Sequence, residues 1–156
     1  MDMQTERAVW RRVNGNGGLP AEEALLPERL EALILQERGD AACLRMLANR
    51  MGGQGSRAML QIAASTETRV RELVTLHFLL TGRRLRLQTP PCGRPGDPVE
   101  ALRAACLRME QTSRSYERLG EEFSRRAEQF SKYARQSREQ SRRLMAQLQN
   151  RLSRRA

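Results

Sequence analysis

The chain has 156 residues, of which 39% are hydrophobic and only 4% aromatic, and it carries a formal net charge of +10. That length predicts one domain with a substantial core, and no apolar run reaches membrane length, which argues against a spanning helix. The charge is nearly all arginine, Lys132 being the sole lysine, and much of it lies at the ends, at Arg11, Arg12, Arg142, Arg143, Arg151, Arg154 and Arg155. Without stacking aromatics or a reading module, it reads first as a solvated face and second as a nucleic-acid-binding surface.

Leu, Met and Ala dominate the apolar content, and sustained period-two alternation is missing, so the chain is expected to be all-α. Residues 1–26 read as a flexible N-terminal arm, broken by NGNGG (14–18), with a short helix around Trp10. Helix one is expected from about residue 27, where Pro27 suits the first helical position, to about residue 50. Its apolar stripe is Leu30, Ile34, Ala41, Leu44 and Ala48, and Glu37 falls in the middle of it. MGGQGS (51–56) ends this helix, with Ser56 as the expected N-cap of the next. Helix two covers about 57–82 and is closed by Gly82. Its stripe is Met59, Ile62, Ala63, Thr66, Arg69 or Val70, Leu73, Leu76, His77 and Leu80.

The segment 83–97 and the residue after it carry four prolines and two glycines. It reads as a long crossover linker. Helix three starts near Pro98 with the stripe Leu102, Ala105, Met109, Thr112, Tyr116 and Leu119. A break is expected near 120–126. Helix four follows with Phe130, Tyr133, Ser137, Gln140, Leu144, Leu148 and Leu152. LRMLA (44–48) pairs with YERLG (116–120), and QIAAST (61–66) with KYARQS (132–137), at shifts of about 72 residues. Such internal pairing predicts a four-helix bundle of two helical hairpins over residues 27–153.

Three cysteines leave one unpaired in any disulfide scheme, and no CxxC or signal peptide occurs, so a reduced, cytoplasmic chain is expected. Cys43 and Cys106 read as small hydrophobes inside helices, and Cys92 as a loop residue. No phosphate loop, nucleophile elbow or zinc spacing appears. His77 reads as packing near the end of helix two, and the methionines as ordinary core or rim.

Non-aliphatic residues recur at one height in all four stripes: Glu37 on helix one, Thr66 and Arg69 on helix two, Met109 beside Glu110 on helix three, and Ser137 with Gln140 on helix four. The i, i+3 pairs on helices two and four let two side chains reach one point from a single face. With LILQERGDAACLRMLA (33–48), IAASTETRVRELVTLHFLLTG (62–82), MEQTSRSYERLG (109–120) and YARQSREQSRRLMAQL (133–148), the chain resembles the ferritin-like superfamily, and most closely small bacterial rubrerythrin-type proteins. Relatives often show IA-x-DE-x-x-H-x-x-x-L in helices two and four. The resemblance implies a bundle whose core once held a di-iron centre.

At the matching positions the expected Glu and His of helix two are Thr66 and Arg69, those of helix four are Ser137 and Gln140, and the Glu of helix three is Met109. One carboxylate with neutral donors and an arginine does not suit two cations, so no cofactor is expected and the catalytic reading falls with the metal. A fallback metal site from a slipped register would use Glu37, Glu67, Glu110 and Glu139 with iron or manganese, in an oxidoreductase. Arg69 is expected to take the place of the cation and pair with Glu37. The alternative leaves Arg69 reaching solvent and Glu37 paired with Arg38 or Arg45. The functional expectation is a non-catalytic structural or interaction protein, either a homodimer or bound to another protein, without a membrane.

Overall fold

A computed structural model describes residues 23–93 and 96–155. Among them are four α-helices and no strand: α1 (Leu26–Met51), α2 (Gly53–Thr81), α3 (Pro98–Glu122) and α4 (Ala127–Arg155). No described helix is long and apolar enough to cross a membrane. The Trp10 helix and the NGNGG break lie outside the described residues. The last residues of the expected arm belong to the folded body instead, because Glu23 and Leu26 are buried and Glu23 Oε1 lies 3.3 Å from Arg126 Nε.

The sequence punctuation explains the helix ends, with one correction. Between α1 and α2 the chain turns on the single residue Gly52 (φ 62°, ψ 175°), which only glycine adopts at low cost. Its N–H still bonds to Ala48 O, and Gly53 already starts α2. Ser56 is therefore inside α2 and not its cap: the consecutive positive-φ glycines, Gly52 and Gly53, make a tighter turn than MGGQGS suggests. Gly82 ends α2 in the left-handed region (φ 70°), with its N–H bonded to Phe78 O. Asp97 caps α3, its side chain accepting from Val99 N at 3.2 Å, with Pro98 in the first turn. The α3–α4 break falls at Phe123, followed by a 3-10 turn, Ser124–Arg126. Phe123 stays buried, so this corner is anchored by its side chain.

α1 packs most extensively on α2 and α3 on α4, with narrower contacts between α1 and α3 and between α2 and α4. The apolar stripes meet in two separate clusters. One holds Leu26, Leu30, Leu33 and Ile34 of α1, Val70, Leu73, Leu76 and Leu80 of α2, Tyr116, Leu119 and Phe123, and Phe130, Tyr133 and Ala134 of α4. The other holds Ala41, Leu44, Leu47, Ala48, Met59, Ile62, Ala63, Val99, Leu102, Ala105, Cys106, Met109, Leu144 and Leu148. Full burial of each large aliphatic side chain contributes roughly 1.5–3 kcal/mol. Leu152, expected to continue the α4 stripe, is 43% exposed.

The segment after α2 lies along α1 in the same direction. Arg38 Nη1 donates to Leu87 O (3.0 Å), and Gly39 faces the Pro90 ring, whose Cγ would stand 3.4 Å from an added Cβ. Arg50 Nη1 donates to Gly96 O (3.3 Å). Leu85 and Leu87 pack against the first apolar cluster. Cys43 is not a free core residue: it is bonded to Cys92, with Cα atoms 5.4 Å apart. The loop cysteine lands on α1 because the strap runs in step with that helix. Cys106 alone among the three is free and buried.

Candidate functional site

Between the two apolar clusters lies a polar layer to which every helix contributes. α1 presents Glu37 and Asp40, α2 Thr66 and Arg69, α3 Thr112, Ser113 and Tyr116, and α4 Ser137 and Gln140, all buried. Each occupies a core-facing position by helical spacing, so the local fold gives it no route to solvent.

At the centre, Glu37 and Arg69 form an ion pair with both residues 1% exposed. Arg69 Nε lies 3.1 and 3.0 Å from the two carboxylate oxygens, and Nη2 donates to Oε1. The planar guanidinium matches the carboxylate edge, as an ammonium group would not. Nη2 also donates to Gln140 Oε1 at 3.2 Å, tying α2 to α4. Tyr116 donates its hydroxyl to Glu37 Oε2, and its ring centroid lies 5.7 Å from Arg69 Cζ. Glu37 thus receives donors from α2 and α3, and its charge is matched inside the layer.

Protonation follows from this arrangement. Burial works against the Arg69 charge, but the Glu37 carboxylate and Tyr116 outweigh it, and the guanidinium is held above its ordinary range. Burial, reinforced by the Glu37 charge, pushes the Tyr116 phenol well above 10. Near neutrality Arg69 is therefore held as a guanidinium and Tyr116 as a neutral phenol.

The remaining sequence candidates separate. Thr66 spends its hydroxyl on Ile62 O (2.9 Å), in its own helix. Met109 lies in the second apolar cluster. Ser137 Oγ and Arg69 Nη1 have no hydrogen-bond partner among the described residues. The alternative partners of Glu37 are engaged elsewhere: Arg38 on the strap, and Arg45 in a fork on Glu67 at 2.6 and 2.7 Å. That fork holds the Glu67 carboxyl below its usual range. Glu110 is exposed beside Arg114, and Glu139 is exposed. The fallback set Glu37, Glu67, Glu110 and Glu139 is therefore not gathered. Among the described residues, no group of three or more His, Cys, Asp or Glu side chains is placed to hold a metal ion. His77, 2% exposed, has Nε2 2.8 Å from Glu31 Oε1 and Nδ1 3.5 Å from Thr81 Oγ1, away from the central layer.

Sequence reasoning missed Asp40 and Ser113 and the hydroxyl roles of Tyr116 and Tyr133. Asp40 lies three residues after Glu37 on the same face and pairs with Arg108 Nε at 2.7 Å. Its spacing was the available signal. Burial raises its pKa despite the arginine, and the neighbouring Glu37 adds to the rise. Tyr116 read as an apolar stripe residue because its ring fits that role, whereas its hydroxyl serves Glu37. Tyr133, likewise read as a stripe residue, donates its hydroxyl to Glu72, and burial with that carboxylate pushes its phenol up to about 12. Gln36 Nε2 to Thr112 Oγ1 (3.1 Å) and Ser113 Oγ to Ala134 O (2.9 Å) add links between helices at this height.

Compared with family models, curated proteins and solved structures, the chain shows no significant match to any.

Proposed function

We propose that the chain is a ferritin-like bundle of two helical hairpins joined by a crossover strap, in which a buried ion pair occupies the position of a lost di-iron centre. On this reading it is a cytoplasmic, non-catalytic structural or interaction protein of the rubrerythrin type. One observation carries the reading: a guanidinium sits in the middle of four helices, on Glu37, the one carboxylate retained among the expected ligand positions. The surrounding groups do not fit that cofactor. Thr66, Ser137 and Gln140 are neutral, Met109 is a thioether in an apolar cluster, and Arg69 repels cations. A polar layer that specifies how four helices align suits a scaffold, since buried ionic groups are best attested as devices of register.

The test is anaerobic loading with iron(II) or manganese(II), removal of free metal and elemental analysis. Metal well below one equivalent per chain is expected. Stoichiometric, chelator-sensitive metal would overturn the reading and favour a residual oxidoreductase site.

A second reading rests on α4. Its exposed residues include Lys132, Arg135, Arg138, Arg142, Arg143 and Arg154 against Glu128 and Glu139. This is a basic face suited to a polyanion such as nucleic acid. Binding to mixed-sequence duplex DNA that weakens steeply with salt would support it; no binding at about 50 mM salt would dismiss it.

A further inference from the structure

We infer that Cys43 and Cys92 form a reversible redox latch, which fastens the strap between α2 and α3 to α1 and releases it on reduction. The bond lies outside both apolar clusters and outside the central polar layer. Opening it therefore removes no core contact. Both cysteines are partly exposed, and Cys92 stands between the exposed Pro91 and Gly93, on the side of the strap that a small thiol reaches from solvent. Cys106 is buried, with its thiol pushed up by burial, and takes no part.

The strap is poised to reclose. Contacts besides the disulfide bring it to α1 in register, among them Arg38 with Leu87 O, Gly39 with Pro90, and Arg50 with Gly96 O. These hold the two thiols at high effective concentration after reduction, which favours re-formation of the same bond. Arg83, Arg84 and Arg86 of the strap are exposed, and Leu85 and Leu87 are only partly buried against the first apolar cluster, so the strap opens at lower free energy than the helices once the covalent tie is gone. In a reducing compartment, disulfides of this exposed kind are transient and sensing, not permanent.

The reaction is exchange with small thiols of the glutathione class. One thiolate attacks Cys92 Sγ, the Cys43–Cys92 bond breaks, and Cys43 leaves as a thiolate that takes up a proton. A second small thiol attacks the mixed disulfide, leaving Cys92 as a thiol and producing one small disulfide. Two electrons and two protons pass to the protein, and oxidation reverses both steps.

The test equilibrates the whole chain with reduced and oxidised glutathione over a range of ratios. Thiol alkylation with mass analysis then reads the latch, and limited trypsin digestion reads the strap, whose Arg83, Arg84 and Arg86 are exposed. Cys43 and Cys92 should alkylate together in one reversible step. Cleavage in the strap should be at least about tenfold faster in the reduced chain, with helical circular dichroism unchanged. The double variant Cys43→Ser with Cys92→Ser should be cleaved fast under both conditions, and Cys106→Ser should respond like the parent. Gly39→Leu, which keeps both cysteines but crowds Pro90, should need more oxidising glutathione to close the bond. Equal cleavage of the oxidised and reduced chains would overturn the latch. Loss of helicity on reduction would also overturn it, because the bond would then be part of the fold. The outcome does not depend on whether the central layer binds metal.

Discussion

Arg69 shows most directly how a buried charge is kept. Its partner Glu37 is wholly enclosed, and Tyr116 and Gln140 supply the next contacts. Removing one partner strands the other, so Glu37→Leu or Arg69→Met alone should each destabilise the fold by about 3–5 kcal/mol. The double variant should cost less than the sum of the two single changes. Chemical denaturation of the four proteins in this cycle measures the coupling, and simple additivity would remove the buried pair from the account. The chain's two tyrosines offer a second reading of the same interior. Tyr133 is pushed up to about 12 and Tyr116 is raised well above 10. Unfolded, both would ionise near pH 10, so the stability they confer is complete below that pH and is lost as pH rises toward their folded values. Native protein should show almost no tyrosinate absorbance at pH 10.5, and urea-unfolded protein should show most of it. The pairing of Glu37 with Arg69 was legible from one misplaced carboxylate and one misplaced arginine at equal height. Which tyrosine serves which carboxylate was not, because Tyr116 and Tyr133 both fit an apolar stripe, and only the three-dimensional packing separates their hydroxyls.

At the scale of the elements, the four stripes were readable because each keeps helical spacing over five or more turns, and nearly every stripe residue is buried. The turns were less readable. Ser56 has the chemistry of a cap, yet the chain reverses earlier, on Gly52. The glycines permitted several endings, and the packing of α1 on α2 chose the shortest. Gly52 lies in a backbone region that disfavours any side chain, so Gly52→Ala should cost about 1–3 kcal/mol, measured as a lower unfolding midpoint, although nothing stands within 4 Å of the added Cβ. The same comparison explains Cys43. Its helical spacing suggested a small core residue, and no local signal told that a proline-rich strap would run beside it. Gly39 was a partial clue, since a glycine inside a helix marks a place where another chain segment comes close.

Across the whole molecule, polar and apolar residues alternate in slabs: an apolar cluster, a charged layer reached by all four helices, and a second apolar cluster. Within the charged layer Glu37 is set against Arg69, whereas the exposed basic residues of α4 bear on partners and not on the fold. The central layer also limits how the sequence can drift. A step that alters position 37 or 69 alone leaves an orphaned charge in a sealed interior, while a step that alters both preserves neutrality. The two positions are bound into sign epistasis, with each acceptable state separated from the next by an unstable intermediate. Recruiting a metal to this interior would require crossing that valley at several sites at once, so the ion pair acts as an evolutionary ratchet as well as a bond.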